Sequence, residues 1–395
     1  MKKKYELIMA DIEQLISENY WRQGERLPSI RVQAEKYRCN KATVIRAYQE
    51  LEQHHKIYSI PKGGFYLVEK KTVKEEAYGR LDFAEVLPDP KLLPYREFNH
   101  CINKAVELYK DILFSYGEVQ GLKSLRKVLV RHFGDQQVFT SEEGIFVTSG
   151  AQQALSLLTK MTFPDAKKTI LVEQPTYGLL QRQAELNGIR LVGIHRDRNG
   201  IDLRRLERLL EEEDIKFFYT IPRLHNPLGT SYTEKTKREL AALAEKYNTY
   251  IVEDDFLADI EVDSCVMPLH YYDTAERVIY LKSFSKSFMP GIRIGAVVLP
   301  EKLREEFARA KRYDDLNTSV LAQGALELFI SSGMLQKHNK RIKAAYRRKM
   351  DFLQEYCRNL DLKGTELFIP ETGFFLFKAS HKSNQHSSWC FFILT

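Results

Sequence analysis

The segment from Leu281 to Gly295 constrains the fold of this chain more than any other segment. It contains amine, hydroxyl and guanidinium groups that can act together only if the fold brings them into one site. It reads LKSFSKSFMPGIRIG, so Lys286 closely follows Ser283 and Ser285, and Arg293 comes seven residues after the lysine. A lysine amine forms a Schiff base with an aldehyde, and hydroxyl groups and a guanidinium bind a phosphate. These are the groups of a pyridoxal phosphate (PLP) site, so we predict that Lys286 bonds to that cofactor and that the other three hold it. Taken alone, the segment also fits a solvated basic loop.

A turn of small residues precedes this segment, in the sequence VTSGAQQAL at 147–155. Its apolar start and periodic end predict a strand that turns into a helix. Free N–H groups and the helix dipole at such a helix start attract an anion. We therefore assign Gly150, Ala151 and Gln152 to the cofactor phosphate, although an ordinary strand–turn–helix junction has the same pattern.

Further segments occur in the chain order of the fold-type I aminotransferases, which the sequence resembles from about Asp82 onward. They are SYG followed by GLKSLR (115–126), EQPTYG (173–178), PRLHNPLGT (222–230) and YIVEDDF (250–256). The resemblance implies an α/β domain that binds PLP. It also implies a homodimer in which Tyr116 reaches the cofactor site, often that of the partner.

The resemblance implies roles for three more side chains. Tyr177 would stack on the pyridine ring, because an aromatic face suits a flat, electron-poor heterocycle, and Asn226 would donate to the phenolic oxygen. Asp254 would keep the pyridine nitrogen protonated. We favour it over Asp255 by its place in the motif, since strand alternation lets only one of the two point inward. Phe256 departs from the family, which usually has a tyrosine there, so we expect cofactor binding to survive better than catalysis.

The first 70 residues predict a separate, smaller fold. LPSIR (27–31) begins a short helix, YRCN (37–40) forms a turn, and KATVIRAYQEL (41–51) has its apolar residues on one side of a second helix. Asn40 is a good N-cap for that helix, and IYSIPKGGFYLV (57–68) predicts two strands around a Pro-Lys-Gly-Gly turn. Together they resemble the winged helix-turn-helix of the GntR regulators, including its Leu-Pro-Ser-x-Arg motif.

Positive charge is concentrated in this part of the chain. Residues 1–75 contain 15 Lys and Arg against 10 Asp and Glu, whereas the whole chain has a formal net charge of +7. Such a surplus favours phosphate contact, although charge alone fits the surface of a solvated helical hairpin equally well. With the helix–turn–helix–wing order, we predict that double-stranded promoter DNA is a partner. The residues predicted to contact or border it are Arg31, Asn40, Lys41, Thr43, Arg46, Lys62 and Gly63.

The predicted organisation combines both parts. An α+β winged helix-turn-helix spans 1–68, a linker 69–80, an α/β fold-type I aminotransferase-like domain 81–377 and an atypical tail 378–395. This combination resembles the MocR-type subfamily of the GntR regulators. Because the tail has little pattern and residues 359–395 lack an arginine, we expect an incomplete C-terminal small domain without the family's carboxylate-binding arginine, as in a truncated or frame-shifted product.

Composition limits the cellular location and the metal chemistry. No apolar run approaches the roughly 20 residues of a membrane span, and the start MKKKYE lacks the apolar core of a signal peptide. We therefore expect a cytoplasmic protein without a membrane partner, associated with the nucleoid when it binds DNA. Its cysteines are widely spaced and fit reduced thiols, so we predict no metal site. They are Cys39, Cys101, Cys265, Cys357 and Cys390.

Three functions fit these observations. The first is a transcriptional regulator whose PLP-bearing domain senses a small amine, an amino acid or PLP itself. The second is a working aminotransferase with a DNA-binding appendage, which Phe256 and the missing arginine argue against. The third is a PLP-independent domain that only dimerises the DNA readers. We expect at most weak transaminase activity.

Overall fold

A computed structural model describes residues 3–18, 20–22, 24–54, 56–60, 63–68, 87–261, 263, 265–358, 365–380 and 388–393. The predicted linker, 69–80, and the predicted DNA contact Lys62 lie outside the described residues. The chain forms two compact units, Met1–Leu81 and Asp82–Thr395. The exact domain limits stay predictions.

The first unit contains the two predicted helices and the two-stranded wing, with a further helix before them. Its elements are α1 (Lys4–Ser17), α2 (Ile30–Lys36), α3 (Lys41–Gln53), β1 (Ile57–Ile60) and β2 (Gly64–Leu67). The two strands pair antiparallel. Side chains from all three helices and the wing form one apolar core, which includes Ile8, Ile12, Ala34, Val44, Tyr48, Leu51, Ile57 and Leu67.

Local capping explains where the helices of this unit begin. The Asn40 side chain accepts hydrogen bonds from the Thr43 backbone N–H (2.8 Å) and the Thr43 hydroxyl (2.6 Å), so it ends the turn and starts α3. Ser29 caps α2 in the same manner. In the wing, Gly64 has a positive φ of 105°, and a Cβ there would lie 2.9 Å from the Arg26 Nε. A glycine is therefore required at this turn.

The second unit is built around an eight-stranded sheet in the order β3-β10-β9-β8-β7-β4-β5-β6. Strands β4, β5, β7, β8 and β9 run parallel, whereas β10 pairs antiparallel with both β3 and β9. The strands are β3 (Ile145–Thr148), β4 (Thr169–Gln174), β5 (Leu191–Asp197), β6 (Gly200–Ile201), β7 (Ile215–Thr220), β8 (Tyr250–Asp254), β9 (Val278–Ser283) and β10 (Gly295–Val298).

Helices cover both faces of this sheet, as a mostly parallel sheet requires. They are α4 (Tyr95–Tyr109), α5 (Lys123–Asp135), α6 (Ala151–Lys160), α7 (Gly178–Leu186), α8 (Leu203–Glu212), α9 (Glu234–Lys246), α10 (Glu301–Asp315), α11 (Val320–Ser331) and α12 (Met334–Arg358). Helix α5 buries Leu125, Leu129 and Phe133, which are four residues apart and thus share one side of the helix. Along β9, Ile279 and Leu281 pack in the core that contains α6, whereas Tyr280 packs in the core that contains α5.

A small antiparallel sheet follows α12. It consists of β11 (Thr365–Phe368), β12 (Phe375–Ser380) and β13 (Ser388–Ile393), in that order. The last strand lies in the tail for which the sequence predicted little pattern. This strand, with the mostly apolar sequence SWCFFI, pairs with β12, so part of the tail forms the third strand of this sheet. Within the described residues, no helix is both long enough and apolar enough to cross a membrane.

Candidate functional site

A cleft opens where β7, β8 and β9 end, at the edge of the sheet where parallel α/β folds bind ligands. Its lining residues come from segments far apart in sequence: Ala151, Gln152, Leu155, Tyr177, Tyr219, Ile221, Asn226, Asp254, Phe256, Ser283 and Lys286. Seven of the predicted cofactor residues, including Lys286, therefore lie around one cavity. Gly150, Ser285, Arg293 and Tyr116 are not among its lining residues.

Gly150 and Arg293 nevertheless meet beside the cleft, at the start of α6. Gly150 has a positive φ of 87°, and a Cβ there would lie 2.6 Å from an Nη atom of Arg293. That guanidinium donates to the Ser149 carbonyl oxygen (3.3 Å). A Cβ on Gly295 would meet the Ala151 backbone nitrogen at 2.7 Å. Gly150 thus leaves room for the Arg293 guanidinium, and Gly295 leaves room for the start of α6. A cation next to a helix start fits a phosphate.

Asp254 provides the acid of the cleft. Its Oδ2 accepts a hydrogen bond from the Tyr219 hydroxyl (2.8 Å), while its buried Oδ1 has no hydrogen-bond partner among the described residues. Burial raises the pKa of Asp254 to about 7, and the Tyr219 hydrogen bond opposes this rise. An unpartnered, buried carboxylate oxygen fits a protonated ring nitrogen, since a neighbouring cation offsets the cost of burying the charge.

Asp255 is already engaged elsewhere. Arg223 donates to both of its oxygens, with its Nε 3.1 Å from Oδ1, and the Tyr280 hydroxyl donates to Oδ2 (2.9 Å). Asp255 also does not line the cleft. Of the two neighbouring acids, Asp254 alone faces the cavity, as strand alternation requires.

Two loops of the cleft are joined by a buried ionic network that the sequence did not reveal. Glu173, at the end of β4, accepts hydrogen bonds from Arg196 (2.6 Å) and Thr220 (2.6 Å). The His225 Nε2 lies 3.0 Å from its other oxygen. Because Glu173 precedes the Tyr177 loop and His225 precedes Asn226, this network fixes the loop and the turn relative to each other.

The two serines and Tyr116 differ in their placement. Ser283 lines the cleft, and its hydroxyl accepts a hydrogen bond from the Ser285 backbone N–H (3.2 Å). Ser285 is itself buried and does not line the cleft. Tyr116 is 87% exposed and does not line the cleft of its own chain, and Ile112 and Phe114, which closely precede it in the sequence, are exposed as well.

In the first unit, cationic side chains surround the start of α3. A groove there is lined by Arg31, Ala34, Glu35, Arg38, Cys39, Asn40 and Lys41. Arg31 lies 3.4 Å from Glu35 in an exposed ion pair, which stabilises little and leaves the guanidinium available to a phosphate. Arg38 was not predicted from the sequence, because only the left-handed turn (φ 48°) before α3 brings it to the groove.

The other predicted DNA residues surround this groove less directly. Thr43 is committed to the Asn40 cap. The Arg46 guanidinium lies 4.3 Å from the centre of the Tyr5 ring on α1, so it is held on that side of α3. Gly63 lies at the wing turn, where a Cβ would come within 2.8 Å of the Ile60 side chain.

Comparisons with known proteins match both units. The model of the aminotransferase class I and II family matches residues 93–389, and that of the bacterial regulatory proteins of the gntR family matches residues 4–67. The chain is 46% identical over 372 residues to the uncharacterized HTH-type transcriptional regulator YcxD of Bacillus subtilis, covering 94% of this chain and 84% of that protein.

Among solved structures, the kynurenine aminotransferase of Pyrococcus horikoshii, in complex with PMP, is 28% identical with a TM-score of 0.70 and 76% of each chain covered. The α-aminoadipate aminotransferase LysN of Thermus thermophilus, complexed with N-(5'-phosphopyridoxyl)-L-leucine, is 26% identical with a TM-score of 0.70 and 80% of each chain covered. The predicted fold class and the order of its two parts are confirmed, and the aminotransferase family match confirms PLP as the cofactor.

Proposed function

This chain belongs to the MocR-type transcriptional regulators, and we propose that it senses a small amine, an amino acid or PLP itself through a PLP site at Lys286. One observation carries the proposal. Lys286 and Asp254, which are 32 residues apart in sequence, line the same cleft at the carboxyl ends of the strands. An amine that attaches the cofactor and an acid that pairs with its ring nitrogen are thereby brought together.

Each predicted cofactor residue has a place in this proposal. Arg293 and the start of α6, with Gly150, Ala151 and Gln152, hold the phosphate, and Ser283 and Ser285 support that end. Tyr177 stacks on the ring, and Asn226 donates to the phenolic oxygen. When bound, PLP would supply an aldehyde that reacts with primary amines, either the amine of Lys286 or that of an effector. The surroundings of Lys286 in the cleft would therefore differ when an amine effector is present.

The first unit is the DNA-binding part of this proposal, with promoter DNA as its target. Arg31, Arg38 and Lys41 surround the N-cap of α3, where backbone N–H groups and cations together favour a DNA phosphate. Lys62 and Gly63 would contribute from the wing. Since a reader of promoter DNA acts where the chromosome is, we place the protein in the cytoplasm, at the nucleoid when it is bound.

We also propose a homodimer. Tyr116, Phe114 and Ile112 expose 87%, 73% and 57% of their surfaces within a five-residue stretch. Exposed apolar side chains grouped in this manner favour a protein partner. In a symmetric dimer, Tyr116 would reach the cofactor site of the partner, and two DNA readers would bind two half-sites.

The test is a spectrum combined with DNA binding, measured on the full-length protein. We expect the purified parent, loaded with PLP, to absorb visible light, and Lys286→Ala to lose that covalent signal while it keeps its fold. An amine that alters the parent spectrum should also alter the operator affinity of the parent, and it should have neither effect on Lys286→Ala. Lys302→Ala, which removes an exposed lysine on α10, is the matched control and should behave as the parent does.

Other results of these measurements would indicate a different function or refute the role of Lys286. Rapid, stoichiometric release of keto acid from an amino acid, without an effect on DNA binding, would identify a working aminotransferase. A parent that binds DNA but takes up no PLP would identify a domain that only dimerises the DNA readers. An unchanged spectrum in Lys286→Ala would refute the role of Lys286.

A further inference from the structure

Helix α3, the second helix of the helix-turn-helix and its proposed recognition helix, has an exposed apolar side chain on its outward face. Its inward face is formed by Val44, Ala47, Tyr48 and Leu51, all of which are fully buried. Ala42, Ile45 and Gln49, spaced by three and four residues, lie on the opposite, exposed side. Ile45 is 38% exposed, although a β-branched aliphatic side chain is a poor choice for a solvated helix surface.

The neighbours of α3 define where Ile45 lies. On one side, α1 packs against the helix, and Tyr5 holds the Arg46 guanidinium there. On the other side, the wing strand β1 approaches the end of the helix, where the Ser59 backbone N–H donates to the Glu52 carboxylate (2.8 Å). Ile45 lies one turn after Lys41 and two turns before Glu52. It therefore occupies the surface between the cationic groove at the start of α3 and the wing.

This location decides what Ile45 can contact. Cations that bind phosphates position a protein on DNA but read no sequence. In the major groove, the one apolar group that distinguishes base pairs is the thymine 5-methyl group, and apolar side chains pack against it. Among the exposed residues of this stripe, Ile45 offers the largest apolar surface, with the Ala42 methyl group one turn before it.

We propose that Ile45, with Ala42 beside it, reads thymine by contact with its 5-methyl group in the major groove. The inference rests on the proposed DNA binding and adds to it the kind of base pair that the recognition helix selects. Burial of one methyl group against another apolar group contributes about fourfold in affinity, which sets the size of the expected effect.

The experiment compares thymine with deoxyuridine, which lacks only the methyl group. The operator is first selected from random duplex DNA with the full-length protein. Each thymine of a half-site is then replaced by deoxyuridine, and Kd is measured by fluorescence anisotropy at fixed salt. We expect the parent to lose about fourfold in affinity at one or two thymines. Ile45→Ala should bind the two DNAs equally at those positions, and Ile45→Val should show an intermediate ratio.

Leu7→Ala is the matched control, because Leu7 is an exposed aliphatic residue (54%) on α1. It should keep the thymine preference of the parent. If Ile45→Ala discriminates thymine from deoxyuridine as the parent does, or if the parent never discriminates, the methyl-reading role is refuted while DNA binding stands. If the parent selects no sequence at all, the proposed promoter binding fails as well, and this inference fails with it.

Discussion

The buried carboxyl group of Asp254 predicts a pH-dependent penalty on the cofactor-free protein. Its pKa rises from an ordinary 3.8 to about 7 in the folded state, because burial disfavours the charged form. The resulting loss of folding stability is therefore absent below pH 3.8, grows as the pH rises towards 7, and is constant above pH 7. A pKa shift of about three units lowers the free energy of unfolding by about 4 kcal/mol at pH 8. At pH 4 the loss is less than about 1 kcal/mol, because the carboxyl group is then largely protonated in the folded state.

Replacing Asp254 with asparagine removes the charge and keeps the shape. The amide oxygen can still accept the hydrogen bond from Tyr219, so the packing of the cleft should be preserved. We expect cofactor-free Asp254→Asn to be more stable than the parent at pH 8, by up to about 4 kcal/mol, and nearly equal to it at pH 4. Glu253, whose pKa burial also raises to about 7, is present in both proteins, so its effect cancels in the comparison.

The assay is urea unfolding of both cofactor-free proteins from pH 4 to pH 8, followed by the same measurement with PLP. The cofactor should reverse the order at pH 8, because only a carboxylate pairs with a protonated ring nitrogen. If the difference in stability between Asp254→Asn and the parent did not change with pH, the claim that burial raises the pKa of Asp254 would be refuted. Equal stabilisation of both proteins by PLP would refute the role of Asp254 in holding the ring.

Three more predictions test other parts of the molecule. Arg293→Ala should weaken PLP binding about 10- to 100-fold in an equilibrium titration, since it removes a charge-assisted phosphate contact, and Arg293→Lys should recover part of the loss. Lys41→Ala should weaken operator binding and lower the slope of log affinity against log salt by about one unit, without a change in sequence preference. Phe256→Tyr adds a donor to the cleft and should tighten PLP binding about three- to tenfold by titration; unchanged or weaker binding would show that the hydroxyl finds no acceptor there.

Local features were predictable from the sequence, whereas features that depend on strand order were not. The Asn40 cap and the Gly150 turn are encoded within a few residues, so both appeared where the motifs placed them. Tyr219 lies in the apolar run of β7, and only the pairing of β7 with β8 places its hydroxyl against Asp254. The only signal in the sequence was a tyrosine directly after Phe217 and Phe218, near the end of β7.

Tertiary packing also set the direction of individual side chains. The sequence placed Arg46 towards DNA, and helical periodicity does put it on the exposed side of α3. The aromatic ring of Tyr5, which lies 41 residues earlier, determines where its guanidinium rests. The network around Glu173 was equally hidden, because its partners come from three separate strands and turns.

Strand β10, which runs antiparallel to both of its neighbours in the large sheet, fixes the length of chain between Lys286 and Arg293. Gly295, the first residue of β10, pairs with Ser283 at the end of β9 and with Thr148 at the end of β3. The chain therefore leaves the sheet edge after Ser283 and returns to the same edge at Gly295, and Lys286 and Arg293 lie on that one excursion. The distance between the attachment point of a cofactor and its phosphate is fixed by chemistry. An insertion between these two residues would thus separate them from the ends of a rigid ligand, whereas a surface loop elsewhere in the unit could lengthen without that effect.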